Sequence, residues 1–199
     1  MNSTSIRTGV SAEEIKQAFL DNMHCALGRS EGVATKQNVY YALALTVRDR
    51  LFAHTVGTIG KYGGANARRV AYLSAEYLPG PQLANNLLSL GITEAAREAM
   101  HSLGYDLDEI IAEEEEPGLG NGGLGRLASC YMDSLASVEV PAIGYGIRYE
   151  FGIFDQVIRD GWQEEITDKW LRQGNAWEIA RPGINYRVKF GGYTESSVD

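Results

Sequence analysis

Nine residues, Gly118-Leu119-Gly120-Asn121-Gly122-Gly123-Leu124-Gly125-Arg126, constrain this chain more than any other stretch, because five of them lack a side chain. So dense a run of glycine specifies backbone that turns sharply or is closely approached. Directly after it, Leu124, Leu127, Tyr131, Leu135 and Val138 recur at three- and four-residue spacing. That spacing predicts a helix from about Leu124 to Val138, buried along the stripe. The first amides of a helix are unpaired and carry partial positive charge. With Gly122 and Gly123 leaving them uncovered, the loop either binds a phosphate or sugar oxygen or serves only as a tight turn. Arg126 either strengthens anion binding or pairs with carboxylates upstream.

The first six residues also satisfy G-x-G-x-x-G, the dinucleotide fingerprint, but the context argues against that reading. A dinucleotide site needs an apolar strand before the first glycine, and here Glu113 to Glu116 and Pro117 stand there. No Gly-Lys-Ser/Thr follows, so a Walker loop is excluded as well.

Around the loop the pattern alternates. Ser11 and Glu14 form a capping box ahead of Ile15, Phe19, Met23 and Leu27, a helix ending before Gly28. Tyr40, Leu43, Ala44, Val47 and Leu51 predict a second helix, to about Val56. Arg69 to Ser74 reads as a short strand buried on both faces, followed by Pro79, Gly80 and Pro81. Helices are expected over Leu83 to Leu90 and, with Thr93 as N-cap, to Leu103, with Gly91 and Gly104 stopping them. Val140 to Tyr145 reads as a second buried strand. Strand, helices and strand in series favour an α/β layered sheet with parallel crossovers. Beyond Tyr145, Ile153 to Ile158 and Trp162 to Ile166 flank Asp160-Gly161 as in a β-hairpin. Tyr186 to Phe190 reads as a strand and Gly191-Gly192 as a turn. Tyr193-Thr194-Glu195 then reads as the start of a returning strand, so the chain is expected to be part of a longer protein.

Other candidates are weaker. Glu76, just past the first strand, points into the crevice where open α/β sheets bind ligands, or caps a helix or forms an ion pair. The acidic run Asp108 to Glu116 reads as a solvated surface without calcium-loop spacing. His24, His54 and His101 read as satisfied structural histidines. Trp162, Trp170 and Trp177 read as packing residues, with stacking on sugar rings as the alternative. No catalytic triad or metal-ligand spacing occurs. Cys25 and Cys130 suggest neither a disulfide framework nor a zinc site, which fits a reduced, cytoplasmic setting. The net charge of −8 disfavours binding to nucleic acid or anionic membrane, and no apolar run of spanning length occurs.

Four collinear stretches carry a resemblance: YYALALTVRDRL (Tyr40 to Leu51), RVAYLSAEYLPG (Arg69 to Gly80), GLGNGGLGRLASCYMDSLA (Gly118 to Ala136) and GYGIRYEFGIFDQ (Gly144 to Gln156). Together they strongly resemble the N-terminal region of the glycogen and starch phosphorylases. The resemblance implies an incomplete N-terminal Rossmann-like domain of the two-domain glycosyltransferase-B fold, with N-terminal helices and a mixed β region after about residue 145. It implies a helical extension over 1–35 and a partial α/β domain over 36–199, truncated at its C-terminal end. In that family, inorganic phosphate releases glucose 1-phosphate from the non-reducing end of an α-1,4-glucan. The family uses pyridoxal phosphate, whose own phosphate relays the proton, and usually works as a homodimer.

By resemblance, Glu76, Gly123, Leu124 and Gly125 belong to the catalytic site, Gly122, Gly123 and Leu78 border the cofactor, and Asn121 and Arg126 support the substrate. This favours the binding reading of the loop over the tight turn alone. Leu78 stands where some relatives carry a cofactor-contacting tyrosine, and Pro81 replaces a common arginine. Gly63 departs from a nucleotide-effector tyrosine and the first residues do not resemble a phosphorylated tail, so neither AMP control nor phosphorylation is expected. None of Lys16, Lys36, Lys61, Lys169 or Lys189 lies in a motif matching the cofactor-holding lysine, which belongs to the family's C-terminal domain. The chain alone is therefore expected to be inactive. The alternative is a module that binds glucan or pairs with a subunit without chemistry.

Overall fold

The computed structural model describes residues 3–64 and 67–195. Its mass lies in a helical unit, from which a small sheet, a glycine loop and a hairpin project. Helix α1 (Ser3–Thr8) precedes α2 (Ala12–Asp21). The capping box forms as expected: the Ser11 hydroxyl accepts from Glu14 N at 3.4 Å, and Glu14 Oε2 accepts from Ser11 N at 3.1 Å. A π-helical turn (Asn22–Ala26) ends this segment, and Gly28 reverses the chain at φ +61°. Helix α1 had no signal in the sequence, because Ser and Thr are weak helix formers. Tertiary contacts hold it: Arg7 meets Asp49 at 2.8 Å, and Arg50 Nε donates to Gly9 O at 2.7 Å just beyond its end.

Helix α3 (Lys36–Gly64) is 29 residues, about 43 Å, and outruns the expected span at both ends. Its start is fixed by a reciprocal cap, Asn38 N to Thr35 Oγ1 at 3.2 Å and Thr35 N to Asn38 Oδ1 at 3.1 Å. Past Val56 the helix is exposed, and glycines 57, 60 and 63 hid it from a periodicity argument. Three more helices follow: α4 (Leu83–Ser89), α5 (Thr93–Ser102) and α6 (Leu107–Ile111). Thr93 is the first helical residue rather than the N-cap; Ile92 occupies that position without a side-chain cap. Gly91 and Gly104 terminate the helices at positive φ, as expected.

Phe19 from α2, Met23 from the π-helical turn, Leu43 and Val47 from α3, and Leu87, Met100 and Leu107 from α4, α5 and α6 form one core. Each fully buried side chain of this size contributes about 1.5–3 kcal/mol. Asn22 donates to Thr46 Oγ1 at 3.1 Å inside it, so the buried amide keeps a partner.

Strand β1 (Val70–Leu73) pairs in parallel with β2 (Ala142–Tyr145), Val70 opposite Ala142. The parallel crossover is as expected; the burial is not. Val70, Leu73, Ile143 and Tyr145 are exposed. The intervening helix α7 (Gly123–Ser137) likewise leaves Leu124, Leu127 and Tyr131 exposed, as is Val138 at its C-cap, and buries Gly125, Ala128 and Ser129 instead. Apolar sequence on both faces encodes layers on both sides. Among the described residues, two strands and one helix supply no second layer.

Strands β3 (Asp155–Arg159) and β4 (Trp162–Ile166) form the antiparallel hairpin anticipated, with Arg159 opposite Trp162. Asp160 and Gly161 both adopt positive φ, 52° and 81°, the two-residue turn whose twist matches the strands. The strand expected at Tyr186 to Phe190 does not form. Gly191 and Gly192 adopt positive φ, yet their flanks do not pair, and Tyr186, Val188, Phe190 and Tyr193 are exposed. An isolated two-stranded ribbon with no surface beneath it is marginal. No helix among the described residues is long and apolar enough to cross a membrane.

Candidate active site

The end of β1 and the start of α7 meet through backbone. After Leu73 the chain runs out of the sheet as Ser74 to Leu78, and this segment is bonded to the glycine loop. Tyr77 N donates to Leu119 O at 2.9 Å, and Leu78 N donates to Gly125 O at 3.0 Å. Such close approach excludes side chains from the loop. A Cβ on Gly120 would lie 3.0 Å from the Tyr77 carbonyl carbon and oxygen, and one on Gly125 would lie 3.2 Å from Glu76 Cβ. Gly118 is closed off similarly, by the Trp170 ring and Gly152. Three glycines of the motif therefore serve packing of chain against chain.

The other two do not. A Cβ on Gly122 or Gly123 would meet nothing within 4 Å. Gly122 is the N-cap of α7, and Arg126 N to Gly122 O at 2.9 Å is the first bond of the helix. The amides of Gly123, Leu124 and Gly125 precede that bond and carry the positive end of the helix dipole. The loop is thus both a tight structural turn and an open helix start.

Glu76 sits against this start. Its Oε2 accepts from Asn121 N at 3.4 Å, and its own N–H donates to Ser74 Oγ at 3.3 Å. It lines a cleft of about 230 Å³ with Gly120, Asn121, Tyr149, Phe151 and Ile153. The expected crevice position of Glu76 is what the structure shows, and its partner is a loop amide rather than a cation. Among the described residues Arg126 pairs with no upstream carboxylate; it donates to Leu78 O at 3.4 Å and is exposed. Leu78 contributes its backbone to both contacts. Glu76, Leu78 and Asn121 to Arg126 are therefore one cluster.

A second hollow of about 420 Å³ shares Gly118, Gly120, Asn121 and Ile153 with the cleft and is walled by Glu115, Glu116, Asp155 and Asp168. Partial burial, then Asp168 and Asp155, push the Glu115 carboxyl above its ordinary value; partial burial and Asp155 do the same to Asp168.

Several supports gave no readable signal in the sequence. Tyr77 Oη donates to Tyr72 O at 2.8 Å and lies 3.1 Å from Tyr145 O, locking the two strand ends. Tyr149 Oη donates to Ala75 O at 3.0 Å. Glu114 corrects the reading of the acidic run as solvated surface: half-buried, it accepts from Trp177 Nε1 at 2.8 Å, Leu83 N at 2.8 Å and Tyr40 Oη at 3.2 Å. Burial and the Glu114 charge raise the Tyr40 phenol far above its ordinary pKa, so the hydroxyl stays a donor. Asp106 caps α6, accepting from Asp108 N at 2.8 Å. Trp170 is buried and donates to Tyr149 O at 3.3 Å; Trp162 instead is 78% exposed, against its packing reading. His24, His54 and His101 lie exposed on helical surfaces rather than satisfied in the interior, and Cys25 and Cys130 are exposed and unbridged.

Comparison with known proteins identifies the family. The sequence model of the carbohydrate phosphorylases matches residues 100–199. A glycogen phosphorylase of Synechocystis sp. is 58% identical over 193 residues, 97% of this chain and 23% of that protein. The liver form of glycogen phosphorylase from Homo sapiens is 47% identical over 194 residues, covering 96% and 23%, and the glycogen phosphorylase of Chlamydia trachomatis is 44% identical over 193, covering 97% and 24%. The chain thus spans about a quarter of the length of these relatives, and the glycine loop, its helix, β2 and the β3–β4 hairpin lie within the residues the family model matches, with β1 before them. With its fold of helices and strands and its glycine-lined cleft, the chain belongs to the carbohydrate phosphorylase family.

Proposed function

We propose that this chain is the N-terminal portion of an α-1,4-glucan phosphorylase, which uses inorganic phosphate to release glucose 1-phosphate from the non-reducing end of glycogen, starch or maltodextrin. The observation carrying the proposal is the open start of α7, with Glu76 fixed beside it in a cleft, in a chain 58% identical to a glycogen phosphorylase. The finer architecture proposed is a partial Rossmann-like domain of the glycosyltransferase-B fold, in a cytoplasmic homodimer, with the helical extension over 1–35 and the α/β part over 36–199.

The residues divide by what their geometry permits. The amides of Gly123, Leu124 and Gly125 present three donors and the helix dipole to a phosphate or sugar oxygen where negative charge develops. Glu76, held through its Oε2 by Asn121 N, offers its other oxygen to a sugar hydroxyl. Gly122 and Gly123 leave room for the approach, and Leu78, Asn121 and Arg126 hold the loop against the end of β1.

Pyridoxal phosphate is the cofactor the family implies, and when bound its phosphate supplies the proton relay. The open amides suit a phosphate. No lysine lines either hollow among the described residues, and the lysine holding the aldehyde is proposed to belong to the family's C-terminal domain. Half a cleft does not catalyse, and the 199-residue chain alone is expected to be inactive.

The test is a phosphorolysis assay of the complete open reading frame beside this chain, each with pyridoxal phosphate, phosphate and maltodextrin. Glucose 1-phosphate from the long protein alone supports the proposal. Release by neither, with glucan still bound, favours the non-catalytic glucan module.

A further inference from the structure

The β3–β4 hairpin leaves the site in a definite direction. Ile153 lines the cleft, Asp155 lines the adjoining hollow, and β3 begins at Asp155. Side chains alternate along a strand, and paired residues of an antiparallel ribbon share a face. The register therefore puts Asp155, Val157 and Arg159 on one face with Trp162, Glu164 and Ile166. One end of that face is the wall of the hollow. At the other end, four residues and about 13 Å away, lies Trp162, exposed at 78%.

The chemistry of the face is selective. An exposed indole offers a flat apolar surface suited to the C–H face of a pyranose ring. Beside it Arg159 Nη1 meets Glu164 Oε2 at 2.8 Å, so the cation is neutralised while the pair still offers donors and acceptors to hydroxyl groups. Asp155, Asp160 and Glu165 leave the ribbon acidic, which disfavours a phosphate-rich ligand. A flat ring, a neutral polar pair and surplus carboxylates suit an uncharged polyol.

We infer that this face of the hairpin is a track for glucan leaving the cleft, with Trp162 stacking on a sugar unit that only longer chains reach. The inference rests on the function proposed above and adds a chain-length determinant to it. Trp162 touches no reacting atom, so it affects binding of long substrates and leaves the chemical step alone.

The experiment uses the enzyme from the complete open reading frame, with Trp162→Ala and Trp162→Tyr. KM and kcat are measured on maltotetraose and on long maltodextrin, and mobility is measured in native gels containing glycogen. Trp162→Ala is expected to raise KM for long maltodextrin roughly threefold to tenfold, with kcat and all maltotetraose constants unchanged. Trp162→Tyr, which keeps a stacking ring, is expected to recover most of the affinity. Equal effects on both substrates, no effect on either, or loss of folding in both variants overturns the inference, the last because Trp162 then packs against the protein. If the wild-type enzyme releases no glucose 1-phosphate, the proposed function fails. The gel still tests the track, because glycogen then retards wild type and Trp162→Tyr more than Trp162→Ala, and equal mobility refutes it.

Discussion

Gly120→Ala tests whether the motif's glycines are there for close approach. The added methyl carbon lies 3.0 Å from the Tyr77 carbonyl carbon and oxygen and 3.2 Å from Leu78 N. These are backbone atoms and cannot rotate aside, so the Glu76 to Leu78 segment must retreat from the loop. That movement stretches the bonds of Tyr77 N to Leu119 O and Leu78 N to Gly125 O, now 2.9 and 3.0 Å. Two weakened hydrogen bonds cost about 1 kcal/mol each, and forcing a methyl into a filled site adds about 1–2, for a total of ~3–4 kcal/mol. In a domain of this size the loss lowers the melting temperature by roughly 5–15 °C. Gly123→Ala is the matched control: it adds the same methyl where nothing lies within 4 Å, in the first turn of a helix, and is expected to be neutral or stabilising by up to ~1 kcal/mol. Thermal unfolding followed by circular dichroism reads both. Gly120→Ala melting within about 0.5 kcal/mol of wild type, or Gly123→Ala losing as much as Gly120→Ala, would refute the packing argument.

Glu114→Ala removes the acceptor of Trp177 Nε1, Leu83 N and Tyr40 Oη and is expected to cost ~3–5 kcal/mol in urea unfolding; Glu114→Gln, which keeps one acceptor oxygen, is expected to cost about half as much. Asp168 binds its proton more tightly in the folded chain than in the unfolded one, so its contribution is favourable below the unfolded pKa and is lost as pH rises through the raised folded value. Asp168→Asn, which keeps an acceptor for Trp170 N, is accordingly expected to melt at or above wild type at pH 7.5, with the gap closing at pH 4; a variant less stable at pH 7.5 contradicts this. Gly161→Ala places a methyl group at φ 81° and is expected to lower stability by about 1–2 kcal/mol while leaving the helical core's amide exchange unchanged.

Where a local rule has one physical outcome, the sequence was legible. Ser11 with Glu14, the positive-φ stops at Gly28, Gly91 and Gly104, and the Asp160-Gly161 hairpin all formed where expected. The juxtaposition of Glu76 and the loop was legible only through the family resemblance, because α4, α5 and α6 lie between β1 and α7 in the chain and no local rule links the two. What failed depended on partners distant in sequence. The α7 stripe and both faces of β1 carry apolar residues for layers the described residues lack. Tyr77, Tyr149 and Glu114 act by reaching across 5 to 74 positions, and no local pattern encodes such reach. The hydroxyl–carboxylate contact of Tyr40 and Glu114 joins a residue expected in an apolar helix stripe to one expected in solvent. Tyr40 is buried in that stripe as expected, and only Glu114 was misread, because its partners were invisible.

The central claim is that the start of α7 receives the ligand. The most direct measurement is amide hydrogen exchange of the enzyme from the complete open reading frame, with and without maltoheptaose plus glucose 1-phosphate. Slowed exchange at Gly123, Leu124 and Gly125 is the expected result, because these amides precede the first intrahelical bond and gain an acceptor only from the ligand. Unchanged exchange at all three, with protection appearing elsewhere in the protein, would contradict the claim.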